Sequence, residues 1–249
     1  MSDLVSVIIA DLFEEHLPET IENLKKTADG PIEIIVKKDD QSKGMRYCLN
    51  QAVEEAQGEF LFKIDGHCIM TPHWDTILQT VCADPKDMAI TRIKSIDEDS
   101  WTVVEEKQGF DFVTLETDLS VRGCGEFVSD DPDTAETMAT TGCGIMLHRQ
   151  RYLELGRCWE HLGRYGNLGA EWALKIWLSG GKMLVNRYVT CGHLFRIQGV
   201  AGCTIVEQRK YRKILGLQFA LGMGPEQKYK MAWLAERFGK IGTEKVNNV

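Results

Sequence analysis

A chain of 249 residues, 43% apolar and 27% charged, is long enough for one large domain or two small ones and has the composition of an ordinary globular protein. No apolar run reaches the roughly 18–20 residues of a membrane span, and Met1-Ser2-Asp3-Leu4-Val5 lacks the basic and apolar regions of a signal peptide. A cytoplasmic protein without a transmembrane segment is therefore expected. The net charge of −8 is uneven: from Glu207 onward nine Lys/Arg face four Glu, whereas the residues before it carry 20 Lys/Arg against 33 Asp/Glu.

Leu4 to Ala10, rich in β-branched residues, reads as a strand. Leu17, Ile21 and Leu24 then recur at helical spacing, with Pro18 tolerated in a first turn. Asp29-Gly30-Pro31 marks a turn, Ile32 to Val36 a second strand, and Lys43 to Gln57 a helix closed by Gly58. Phe60 to Ile64 is a third strand, and Thr71-Pro72 leads into a helix over Trp74 to Cys82. Alternation of this kind predicts an α/β domain with a mostly parallel central sheet, whose crossovers gather the loops after the strands along one edge. Residues 87–96 add a strand.

From Asp97 to Thr141 the periodicity weakens around Asp97-Glu98-Asp99 and Asp130-Asp131-Pro132-Asp133, the composition of a solvated loop that can serve as a lid near a site. Gly142 to Leu147 reads as a strand, Ala170 to Ser179 as a helix, and Lys182 to Phe195 as extended chain. Residues 204–240 read as mainly amphipathic helix, an added C-terminal segment.

Asp65-Gly66-His67 ends the third strand. Residues i and i+2 of an extended segment point the same way, so this carboxylate and imidazole can reach one metal ion. Open α/β sheets bind ligands at such strand ends. Cys68 follows but faces the other side. The eight cysteines are scattered, without a C-x-x-C pair, and read as reduced thiols. Two later segments, Gly169-Ala170-Glu171 and Cys191-Gly192-His193-Leu194-Phe195-Arg196, carry further candidates. Trp172, at helical spacing with Ile176, suits core packing, and Lys43 and Arg46 suit either a solvated helix face or an anion. In the tail, Arg209-Lys210-Tyr211-Arg212-Lys213 and Lys228-Tyr229-Lys230 interleave cations with aromatics, which suits phosphate contact and base stacking as well as a solvated helix face.

Taken in order, Gly44-Met45-Arg46 through Asn50, Ala56-Gln57-Gly58-Glu59, and the strand ending in Asp65-Gly66-His67-Cys68 resemble family-two glycosyltransferases of GT-A fold. The second block, Gly142-Cys143-Gly144, Tyr152 to Gly156, Gly169-Ala170-Glu171-Trp172, Trp177 to Gly181 and Gly192 to Arg196, is most similar to polypeptide N-acetylgalactosaminyltransferases.

The resemblance implies a Rossmann-like single GT-A domain over 1–203, with a nucleotide-binding half to about 96, an acceptor-side half over 97–203, and a basic helical extension over 204–249. It implies Asp65, His67 and His193 as ligands of Mn²⁺, with Mg²⁺ second because imidazole suits it poorly. Gly192 would let the backbone approach closely. A UDP-sugar donor would meet Asp39 or Asp40, Lys43, Arg46 and Asp65. Glu171 would be the catalytic general base or a sugar-orienting group, with Trp172 on the acceptor side.

The acceptor is expected to be a hydroxyl. A hydroxymethylated pyrimidine in DNA, held through Arg209, Lys210, Arg212 and Lys213, is preferred over a protein Ser/Thr or a glycan. Two other classes stay open. One is a non-haem iron oxygenase, disfavoured by the reversed Asp-x-His order and the α/β alternation. The other is a non-catalytic nucleotide-sugar or nucleic-acid binding module.

Overall fold

In the computed structural model, residues 2–39, 43–107, 109–125, 131, 133–195 and 204–245 are described, the last six without their side chains. The first half contains β1 (Val5–Asp11), α1 (Leu17–Thr27), β2 (Ile32–Lys38), α2 (Met45–Glu55), β3 (Phe60–Lys63), β4 (Cys68–Met70), α3 (Trp74–Val81) and β5 (Met88–Asp97). Short strands β6 (Thr102–Val103), β7 (Val113–Leu115), β8 (Val121–Gly123) and β9 (Thr134–Glu136) follow. Then come β10 (Ile145–His148), α4 (Arg149–Glu154), a 3-10 turn (Glu160–Leu162), α5 (Leu168–Leu178), β11 (Met183–His193), α6 (Ile205–Ala220) and α7 (Met231–Lys245).

The central sheet runs β2-β1-β3-β10-β5-β11-β4. Its parallel pairs are β1 with β2, β1 with β3, and β5 with β11. Between the two parallel sets β10 is inserted antiparallel to both neighbours. Alternation sorts the side chains of β1: Val5, Val7 and Ile9 join a core layer with Leu24, Phe62, Trp74 and Leu78, while Ile8 joins the opposite layer with Leu49, Trp172 and Trp177.

The stretch between Asp97 and Thr141 is more than a solvated loop. Phe112 and Val113 are buried core residues, and Asp111, also buried, receives two hydrogen bonds from Arg92 at 2.6 and 2.7 Å. Its β7–β8 hairpin sends Val121 to the cleft described below. Leu215 and Phe219 of α6 and Leu234 and Phe238 of α7 lie in the same core layer as α5. Among the described residues no disulfide joins the cysteines, and no helix is long and apolar enough to cross a membrane.

Candidate metal centre and cleft

β3 ends at Lys63, and the chain from Ile64 to His67 turns toward β4, whose Cys68 pairs with His193 at the end of β11. This pairing joins Asp65 and His67 to a histidine more than a hundred residues away. His193 Nε2 lies 3.2 Å from Asp65 Oδ2 and 3.2 Å from His67 Nε2, and the three donors lie within 4.8 Å of one another. Donors about 2.1 Å from a shared ion and about 90° apart stand about 3 Å from each other, so this spacing fits adjacent positions of one coordination sphere.

Glu14, just beyond β1, sets the orientation. Its Oε2 lies 2.6 Å from His67 Nδ1, and it leaves Nε2 facing the other donors. A carboxylate behind a histidine ligand fixes the ring and its tautomer. Burial opposes ionisation of Asp65, but the ammonium of Lys63 and the His193 hydrogen bond outweigh it, holding the carboxyl well below its usual range. Burial pulls His193 down, yet its bond to Asp65 and the neighbouring Cys143 raise it overall. The cluster thus carries the negative charge that a cation needs, partly offset by Lys63.

These groups line a cleft of about 350 Å³, within the usual range for small-molecule sites. Its opposite wall is Tyr165, Gly166, Asn167, Leu168 and Gly169, with Phe195 nearby. Close packing fixes that wall: a Cβ on Gly169 would sit 1.8 Å from the Thr140 carbonyl oxygen.

Several expected site residues have other work. Arg46 is fully buried. Its guanidinium donates to Glu171 Oε2 at 3.0 Å, to the Gly163 carbonyl at 3.2 Å and to the Gly166 carbonyl at 2.8 Å, so it does not face a donor phosphate. Glu171 is fully buried too. Its carboxylate accepts from Arg46, from Lys175 Nζ at 2.7 Å and from the Trp159 amide at 2.7 Å. Burial opposes its ionisation, but Lys175 and Arg46 outweigh that and hold it below the ordinary carboxylate value. A carboxylate so engaged and stabilised is a poor proton acceptor for a substrate, which corrects the assignment as general base.

Trp172 is buried against Tyr152 with ring centroids 5.2 Å apart, in the core and not at an acceptor. Asp39 is buried; it accepts from the Gly44 amide at 3.2 Å and from the Tyr165 hydroxyl, so it supports the cleft wall from behind. Gly44, with φ +88°, passes so near Arg164 that a Cβ would approach its Cα to 2.4 Å. Lys43 is exposed, its ammonium 4.2 Å from the Tyr47 ring centroid. Gly192 makes room not for a ligand but for Ile96 and Ile69, which a Cβ would meet at 2.5 and 2.7 Å.

On α6, Arg212 is buried and bonds Asp118 Oδ2 at 2.8 Å, whereas Arg209, Lys210 and Lys213 are exposed. Asp40 and Arg196 lie outside the described residues. Sequence reasoning missed Glu14, Lys63 and Tyr165. Only Lys63, at the end of the third strand and two residues before Asp65, carried a signal in the sequence.

Relatives bear on this geometry. The sequence is 25% identical over 191 residues to "Probable N-acetylgalactosaminyltransferase 8" of Caenorhabditis elegans, covering 74% of this chain and 45% of that protein. It is 23% identical over 223 residues to "N-acetylgalactosaminyltransferase 7" of Homo sapiens, covering 80% and 32%. The chain thus spans less than half the length of these curated relatives. The crystal structure of GalNAc-T7 with UDP, GalNAc and Mn²⁺ superposes with a TM-score of 0.72 at 17% identity, covering 89% of this chain and 50% of that one. TarS 1-349 of S. aureus in complex with UDP gives 0.61 at 13%, covering 94% and 68%. Both likenesses establish the GT-A fold. The model for Glycosyl transferase family 2 matches residues 5–152, more than half of the sequence, and the chain belongs to that family.

Proposed function

We propose that this protein transfers a sugar from a UDP-sugar to an acceptor hydroxyl, with a divalent cation held by Asp65, His67 and His193. The observation that carries this reading is the convergence of Asp65 Oδ2, His67 Nε2 and His193 Nε2 at the strand ends of a GT-A sheet. The mixed oxygen and imidazole donor set favours Mn²⁺ over Mg²⁺. When bound, the cation would neutralise charge on the departing diphosphate. The relative GalNAc-T7, described with UDP, GalNAc and Mn²⁺, supports the donor and the metal. The oxygenase alternative falls away with the family.

The chain's own residues then divide the work. Lys63, held against Asp65 at the cleft floor, adds a fixed positive charge beside the anionic donor. Tyr165 to Gly169 form the opposite wall. Among the described residues of the cleft wall the carboxylates are Glu14 and Asp65, engaged by His67 and by Lys63 and His193. With Glu171 locked away as well, no carboxylate there is placed to deprotonate an acceptor. That favours transfer in which the leaving diphosphate takes the acceptor proton, hence retention of configuration.

A hydroxymethylated pyrimidine in DNA loses support as acceptor. Tyr211 lies against Gly163, and Tyr229 is stacked on Trp233 with ring centroids 3.9 Å apart, so neither is presented to a base. A hydroxyl of a protein, glycan or lipid headgroup remains as the acceptor class.

The test is release of UDP from a panel of UDP-sugars with Mn²⁺, Mg²⁺ or chelator, read with and without candidate acceptors. Mn²⁺-dependent release that falls at least ~100-fold in His193→Ala is expected. One relative is described as an inactive transferase-like protein. Binding of UDP and Mn²⁺ without any turnover would make this chain a binding module and not a transferase.

A further inference from the structure

The outward face of α6 is built unlike a solvated surface. Val206, Arg209, Lys210, Lys213, Leu217 and, at the helix end, Leu221 fall within about 120° of one another around the axis. All six are exposed, the three apolar ones at 76%, 61% and 72%. Ile205 and Met223, at 69% and 64%, extend the apolar area at either end, and Lys228 and Lys230 add exposed cations beyond it. The opposite face, with Arg212, Leu215 and Phe219, is the one buried in the protein. The helix therefore has aliphatic side chains on two faces, and the described residues cover one. Glu207, the acid of the first turn, is turned back to the Thr204 amide and hydroxyl in a capping box.

We propose that this face docks on an anionic membrane surface. Cations flanking exposed aliphatic side chains match a layer of acidic headgroups over acyl chains. The remainder of the chain is acidic, as the net charge of −8 requires, so an anionic surface attracts this face and repels most others, which fixes one orientation. Two rivals fit less well. Nucleic acid gives the aliphatic row nothing to bury against, and the tyrosines that would stack on bases are half-buried, Tyr211 against Gly163 and Tyr229 on Trp233. A second copy across a two-fold axis would bring the positive charge of Arg209, Lys210 and Lys213 close to the same charge on the other copy.

The buried side of the same helix adjoins the cleft. Asn167 on the cleft wall donates to the Gln208 carbonyl at 3.1 Å and accepts from Arg212 at 3.3 Å, so α6 braces the rim. A membrane on its outer side would lie one helix diameter, roughly 10 Å, from that rim. The docking itself does not depend on the sugar-transfer reading.

Cosedimentation of the full chain with vesicles of phosphatidylcholine, with and without about 30 mol% phosphatidylserine, tests it. Binding to the anionic vesicles is expected, at least ~10-fold above the neutral ones and falling as salt is raised. L217S/L221S should lower it at least ~5-fold with an unchanged circular dichroism spectrum, and R209Q/K210Q/K213Q should reduce it to the neutral-vesicle level. Absence of vesicle binding overturns the proposal, as does vesicle binding indifferent to L217S/L221S. Two further results also overturn it: oligonucleotide binding lost only in the Gln variant, or a dimer in sedimentation equilibrium that L217S/L221S dissolves, in either case with no vesicle binding.

Discussion

Glu14 touches the candidate cation only through His67, yet it decides which ring nitrogen is offered. Glu14→Gln should keep the fold and weaken Mn²⁺ binding by about 10- to 100-fold, measurable by titration calorimetry. His193 adds a pH dependence. Its bond to Asp65 raises the protonated form above the ordinary imidazole value, and a proton there competes with the metal. As pH falls, Mn²⁺ affinity should drop, and the drop should begin at a higher pH than an unperturbed histidine would give. Calorimetry between pH 8 and about 6 reads this directly; a constant affinity would remove His193 from the ligand set.

At the scale of elements, the Arg46–Glu171–Lys175 cluster joins α2 to α5 and ties down the cleft wall through the Gly163 and Gly166 carbonyls. Glu171→Ala would leave two buried cations unpaired, and breaking a buried pair in this way costs about 3–5 kcal/mol. Denaturant unfolding measures it. Because Glu171 has a lower pKa folded than unfolded, the unfolded chain binds more protons as pH falls past the ordinary carboxylate value. Its contribution is therefore complete above that value and is lost as pH falls through the lower folded one, and Glu171→Gln should flatten this acid limb. Arg46→Leu separates support from chemistry: the wall loosens and UDP release falls, while Mn²⁺ affinity stays near that of the parent.

For the whole molecule, the regular β1-α1-β2-α2-β3 alternation was legible because β-branched runs and helical spacing carry it locally. The reversal of β10 was not legible, since periodicity says that a strand is buried but not which way it runs. The same limit hid the roles of Arg46 and Glu171: a charged residue at helical spacing looks alike whether it faces water or a partner 125 residues away. Asp65 and His67 stood out because two potential ligands share one strand end. Glu14 stood alone on a loop and carried no such pattern. A bound cation should stabilise the whole fold, by about 2.7 kcal/mol at a hundredfold excess over its dissociation constant. A Mn²⁺-induced rise in Tm, absent in His193→Ala, would show it.

His193 meets Asp65 at a separation of 128 positions, through a strand pair that closes one edge of the sheet. A chain emerging from the ribosome therefore displays two of the three donors early but holds no complete set until β11 is laid down. Ion capture becomes a report that β11 has been made and paired, and a product truncated before β11 would lack the third donor however well its first half had folded.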